Sequence, residues 1–305
     1  MLIRSGEALA TGWSRNMSYS GFIALHRSVI RRQTGFAARI TRTLSRLNGK
    51  HMTLFDWTSY SMIEAIVSNQ LGPNIDQIVE SIQGAKVDFE YLHDCYAFES
   101  HLPANLNVEE LLTSTQIHIR DQFSHFRAFH CARPVGTNSY YENGIVPLDE
   151  TAAFEDFRDL VTQNFEGVFS PEQFEKARTS MAGGAGRGGH IYYVLDDRYM
   201  TQQCPHYLKS GSEYWQGLAV AMDGNDKLME YLGSLGTPTV FRLNVPTNLI
   251  RDEDLQHLPR YIYGNWAFNI ANEKSETWLI DFTLSQTVAL EPEVLVDHYH
   301  PDIPA

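Results

Sequence analysis

GGAGRGGHIYYVL, residues 183–195, sets a run of glycines directly before an apolar, strand-forming stretch. From Gly184 the run spells G-x-G-x-x-G, the spacing of loops that cradle a dinucleotide pyrophosphate. Such a loop works because its glycines join a strand to the N-terminus of a helix, whose amides face the phosphates. Here the order is reversed. Ser170-Pro171, with Gln173 three residues after the serine, reads as a helix start. A helix over about 171–180 therefore precedes the glycines, and a strand over 190–195 follows them. The Rossmann reading fails on that order, and a P-loop fails because no Lys-Ser or Lys-Thr follows. The glycines read instead as a mobile approach to a strand.

Outward from this stretch, helical signals dominate the N-terminal side. Ile75, Ile78, Val79 and Ile82 fall on one helix face, and Asn74 with Gln77 has the spacing of a capping box. Asn107 with Glu110 repeats that spacing before LLTSTQIHI. Residues 52–120 thus read as a helical region. FRAFH (126–130) reads as a short strand and residues 136–149 as a turn-rich connection. Phe154, Phe157, Leu160, Val161 and Phe165 mark a further amphipathic helix. Beyond the glycines come expected strands at 238–245, 277–284 and 286–290, with a helix near 212–222. Strands clustered late, with few crossover helices, predict an α+β fold rather than a doubly wound sheet.

The chain has 305 residues, is 43% hydrophobic and carries a net charge of −13. That charge is unevenly spread. Residues 1–51 hold nine Arg and Lys against the single acid Glu7, a net +8, which leaves −21 for the other 254 residues. Three readings of the basic segment stay open: a non-native upstream extension, an organelle-targeting presequence, or an arm for nucleic acid or an anionic surface. The acidic body argues against an extensive duplex nucleic-acid surface, which needs clustered Lys and Arg. No apolar run has the length of a membrane span, so no membrane partner is expected. Cys95, Cys131 and Cys204 form no CxxC pair, and this usage suits a reducing, cytoplasmic setting.

Three separated segments together resemble the ADP-ribosyltransferase fold, in the branch similar to diphtheria toxin and the poly(ADP-ribose) polymerases. The first is FHCARPVGTNSYYENGIVP (129–147), with His130 ending a strand and Gly144-Ile145 after a turn and helix. The second is GRGGHIYYVLDD (186–197), which gives Tyr192 the family's tyrosine position. The third is LSQTVALEPEVL (284–295), similar to the last site strand and its Pro-containing exit. The resemblance implies a split antiparallel sheet over residues 121–305 with NAD as co-substrate. It also implies transfer of ADP-ribose to a macromolecular acceptor, protein or nucleic acid, in a toxin or host-defence setting. Residues 52–120 would then position a target, inhibitor or partner protein.

The same resemblance implies roles for single residues. His130 would hydrogen-bond the adenosine ribose, backbone groups at Cys131 would pair with the nicotinamide amide, and Tyr192 would flank the nicotinamide. Tyr214 would be a second stacking face. Arg133 is a rival anchor, since the Arg-Ser-Glu branch of the fold uses an arginine on this strand. Counting back from Pro292, the glutamate of the polymerase-like members falls on Gln286, which cannot offer a full negative charge. Glu213 is an alternative acid, and a non-catalytic NAD-binding or interaction module on the same scaffold is the alternative function. A metal-dependent hydrolase built on Asp297, His298 and His300 is a third reading, weakened because alternation on a strand turns Asp297 away from the two histidines.

Overall fold

Six strands cross the computed structural model, which describes residues 53–84, 92–181, 188–222 and 226–303. The strands are β1 (Leu54–Phe55), β2 (His125–Ala132), β3 (Ile191–Val194), β4 (Thr239–Pro246), β5 (Thr283–Gln286) and β6 (Leu295–Tyr299). They form one sheet in the order β5-β3-β2-β4-β6, antiparallel throughout, with the short β1 running parallel to β2. The helices are α1 (Tyr60–Leu71), α2 (Ile75–Gly84), α3 (Val108–Gln122), α4 (Asn138–Asn143), α5 (Glu150–Asn164) and α6 (Pro171–Met181). They continue with α7 (Asp197–Gln202), α8 (His206–Ser210), α9 (Glu213–Ala221), α10 (Asp226–Ser234), α11 (Asp252–Leu255) and α12 (Leu258–Asn272). The protein is of the α+β class.

Period two sorts the strand side chains onto two faces. Phe126, Ala128, Ile191, Tyr193, Phe241, Leu243, Val245 and Leu284 turn to the main core. Phe129, Val194 and Val240 turn to the opposite face, where they meet Met200, Leu208 and the half-buried Cys131, Tyr199 and Cys204. The main core is closed by α1, α2 and α3, all packed on α12. Trp57, Ile63, Ile78, Leu112, Tyr263 and Trp266 fill the space between them. Each such buried side chain contributes about 2–3 kcal/mol of transfer free energy. The N-terminal helices and the sheet therefore share one continuous core. A second, smaller core joins α5, α6, α9 and α10 through Phe154, Phe157, Phe174, Leu218 and Leu228.

Helix starts follow the capping chemistry in two of the three expected places. Asn107 accepts hydrogen bonds from the Glu109 and Glu110 amides. Ser170 and Gln173 satisfy each other reciprocally, Ser170 N donating to Gln173 Oε1 at 2.8 Å and Gln173 N to Ser170 Oγ at 3.4 Å. Asn74 does not cap α2. It ends a 3₁₀ turn, Gly72–Asn74, that runs straight into the helix, and its side chain donates back to Leu71 O. The expected strand at 277–284 shrinks to 283–286, and the one at 286–290 is a turn that pairs only at Leu290.

Candidate functional site

The ladder between β2 and β3 consists of a single register pair, Phe129↔Val194, although β2 runs three residues further. Beyond it the two strands part, and a side chain takes over from the ladder: His130 Nδ1 lies 2.9 Å from the Tyr192 carbonyl oxygen. A carbonyl only accepts, so Nδ1 carries the hydrogen and Nε2 keeps its lone pair. Burial pushes the His130 ring's proton affinity below the ordinary value, the Tyr192 carbonyl acting in the other direction. The ring is therefore neutral and offers an acceptor at Nε2. Tyr140 and Phe241, stacked at 4.2 Å, lie beside it with ring centroids 6.4 Å away. Tyr192 is half-buried on the opposite face of the sheet, its ring stacked on His190 at 5.9 Å.

Gln286 ends β5 and is paired in register with Ile191, so it belongs to the strand next to Tyr192 and to the main-core face. It is 3% exposed. Its Nε2 donates to Val288 O at 3.0 Å, while Oε1 is buried without a hydrogen-bond partner. The segments at 129–147 and 284–295 also meet directly: Ile145 N donates to Leu290 O at 2.9 Å and Leu290 N to Ile145 O at 2.8 Å. Gly144 makes that approach feasible. Its φ of 74° and ψ of −160° lie in glycine territory, and a Cβ there would run into the Leu290 carbonyl.

The remaining sequence candidates lie elsewhere. Arg133 is a structural brace: its Nε donates to Leu235 O at 2.6 Å and its Nη1 to Leu208 O at 2.8 Å. Cys131 faces away from the main core, and burial with the nearby Asp197 and Cys204 pushes its thiol up to about 12. Tyr214 is packed in the smaller helical core with Phe154, Phe157 and Leu218, so it is no stacking partner built into the sheet. Glu213 opens α9 and lies 2.7 Å from His206 Nε2, whose ring in turn lies 3.2 Å from Cys204 Sγ through Nδ1. No motif marks Cys204 or His206; the signal available was Cys-Pro-His with an acid seven residues after the histidine.

The metal reading of the C-terminal stretch meets a geometric obstacle. Asp297 faces Arg242 across the β4–β6 ladder, with Nη1 donating to Oδ2 at 2.8 Å. His298 lies on the other face, 2.8 Å from the Tyr141 hydroxyl, and His300 reaches Pro238 O. Among the described residues, no three His, Cys, Asp or Glu side chains are grouped to hold a metal ion.

Of the glycine stretch expected to be a mobile approach to the strand, residues 183–187 lie outside the described residues. Gly188 and Gly189 form the turn before β3, with Gly189 N donating to Leu148 O at 2.8 Å. They line a cavity of about 430 Å³ with Leu148, Asp149 and Glu150. The α5 N-terminus there is already capped by Asp149, which accepts from the Thr151 and Ala152 amides. Two carboxylates and a satisfied helix end do not suit a pyrophosphate. Among the described residues, no helix is long and apolar enough to cross a membrane. The chain matches no known family, no curated protein and no solved structure.

Proposed function

We propose that the chain binds NAD where β2 and β3 part and transfers ADP-ribose to a macromolecular acceptor, protein or nucleic acid. One observation carries the reading. The three segments that resemble ADP-ribosyltransferases are far apart in sequence yet touch pairwise: His130 to Tyr192, Ile191 to Gln286 along the ladder, and Ile145 to Leu290. The atoms presented there suit a ribose-rich ligand. His130 Nε2 is an acceptor for a ribose hydroxyl, and Gln286 Oε1, orphaned but closed off from solvent in this structure, is a second acceptor that a hydroxyl reaching it would satisfy. A buried acceptor left unpaired costs about 1–3 kcal/mol, which a ligand donor recovers.

In the reaction the bond between nicotinamide nitrogen and ribose C1″ breaks, neutral nicotinamide leaves, and a nucleophilic atom of the acceptor takes its place. The transition state carries positive charge on the ribose. Gln286 holds a hydroxyl through its amide dipole but supplies no full negative charge to that centre. This favours slow transfer of single ADP-ribose units over chain growth. It equally favours the second reading, an NAD-binding module without turnover on the same scaffold.

Incubation of the protein with NAD, following free nicotinamide, separates these outcomes. Release that is lost in a folded His130→Ala variant supports the transferase. Binding without release supports the module, and neither binding nor release removes NAD from the account.

A further inference from the structure

A second constellation, outside the NAD reading and independent of it, lies on the opposite face of the sheet. Cys204 sits between α7 and α8, His206 opens α8 and Glu213 opens α9. The chain turns back between the last two at Gly211, whose φ of 79° is left-handed, and Gln216 pins that turn by donating to Gly211 O at 2.8 Å. The turn brings the Glu213 carboxylate onto His206. Pro205, with its restricted φ, separates the cysteine from the histidine.

The proton positions follow from the partners. A carboxylate oxygen only accepts, so the His206 ring donates through Nε2, and in the neutral form of the ring Nδ1 is the lone-pair nitrogen. That nitrogen lies 3.2 Å from Cys204 Sγ, the right group to take the thiol proton. Thiol, ring and carboxylate thus stand in the order nucleophile, base and orienting acid, the arrangement that activates a weak nucleophile. The side chains of His206 and Glu213 are 33% and 21% exposed, and Cys204 is half-buried, so a small reagent has access.

We propose that Cys204 is a nucleophilic thiol that exchanges with small-molecule disulfides, His206 accepting its proton and Glu213 holding the ring. The Sγ–H proton passes to His206 Nδ1, and the sulfur attacks one sulfur of the disulfide. A Cys204–S bond to that half forms as the reagent's own S–S bond breaks, and the departing thiolate takes the proton from the imidazolium. The disulfide is the oxidant, so the step needs no other redox partner. Exchange of this kind depends on thiolate character and access. Cys131, in the same side-chain cluster, is the internal contrast: it has neither a histidine nor a carboxylate hydrogen-bonded to its sulfur among the described contacts, and burial holds its proton.

The test uses the full chain, oxidised glutathione as the probe, and mass-spectrometric mapping of each cysteine with time. Cys204 is expected to form the mixed disulfide at least about tenfold faster than Cys131. His206→Gln is expected to slow Cys204 by about tenfold or more, and Glu213→Gln by a smaller factor, as removal of a base and of its orienting group should. The same rates measured in denaturant serve as reference, where wild type and variants should coincide. Should His206→Gln fail to fold, the Glu213→Gln ratio decides. Equal native rates at Cys204 and Cys131, or no slowing in the folded variants, would overturn the proposal.

Discussion

His130 and His206 are both half-buried histidines joined at both ends of the same question: which ring nitrogen holds the proton. His130 donates from Nδ1 to the Tyr192 carbonyl and keeps Nε2 as acceptor. His206 donates from Nε2 to the Glu213 carboxylate and keeps Nδ1 for Cys204. One ring is set by a backbone group where two strands separate, with no carboxylate hydrogen-bonded to it among the described residues. The other is set by an acid brought in by a glycine turn. The same residue type therefore presents a lone-pair Nε2 on one face of the sheet, proposed for hydroxyl recognition, and a lone-pair Nδ1 beside a thiol on the other. Partners, and not residue identity, assign the role.

The largest effect expected on the His130 side comes from Gly144→Ala. A side chain at φ 74° and ψ −160°, pressed against the Leu290 carbonyl, should cost about 3 kcal/mol or more, read as a lowered urea midpoint. A cost below about 1 kcal/mol would mean that segments 129–147 and 284–295 are not held together as described. Arg133→Met removes two hydrogen bonds from a guanidinium to the carbonyls of Leu208 and Leu235. It should cost about 2–3 kcal/mol, and it should leave NAD affinity intact in the folded fraction if Arg133 is a brace and not an anchor.

A pH series separates the two histidines more finely. Burial lowers the proton affinity of His130 below its ordinary value of 6.5, with the Tyr192 carbonyl opposing. As pH falls through that value the unfolded chain binds a proton that folded His130 refuses, so stability is lost on the acid side. His130→Gln should make the decline of Tm between about pH 7 and pH 5 shallower than in wild type. Identical slopes would show that His130 does not stay neutral. The smallest effect belongs to Glu213→Gln, a partly exposed pair whose loss should change stability by at most about 1 kcal/mol. Its mark should be on Cys204 chemistry instead.

Much of this was legible in the sequence. The inverted order of helix, glycines and strand excluded a Rossmann loop, and α6, β3 and α9 lie where spacing and capping chemistry put them. β4 was legible because Val240, Arg242 and Asn244 alternate with Phe241, Leu243 and Val245. Helix α12 was not. Leu258, Ile262, Tyr263, Trp266 and Ala267 are buried along with Gly264, Asn265 and Asn269, so no polar stripe marks a period. Asn269 is satisfied inside, donating to and accepting from Glu276 backbone groups across the helix end, while Asn265 Oδ1 is buried without a partner among the described residues. The strands expected at 277–290 failed for a related reason: apolar residues there fill the core from a turn-rich path, and only 283–286 pairs with β3.

At the site, the strands that bear His130 and Tyr192 were legible, while the bounds of the strand that bears Gln286 and the side-chain directions were not. Tyr192 and His130 face opposite sides of the sheet because strand register, which spacing does not reveal, pairs Phe129 with Val194. Glu213 was expected as an alternative acid for the ribose; in the structure it lies on His206, which in turn lies on Cys204, seven and nine residues earlier, brought back by a turn at Gly211.

The most direct test of the NAD assignment is calorimetric titration of NAD into wild-type protein and into a His130→Ala variant shown by its thermal melt to be folded. The account predicts saturable binding to wild type and at least about tenfold weaker binding to the variant, the loss of roughly 1.4 kcal/mol that one hydrogen bond to a ribose hydroxyl supplies. No binding to wild type, or equal affinity in the two proteins, would contradict it.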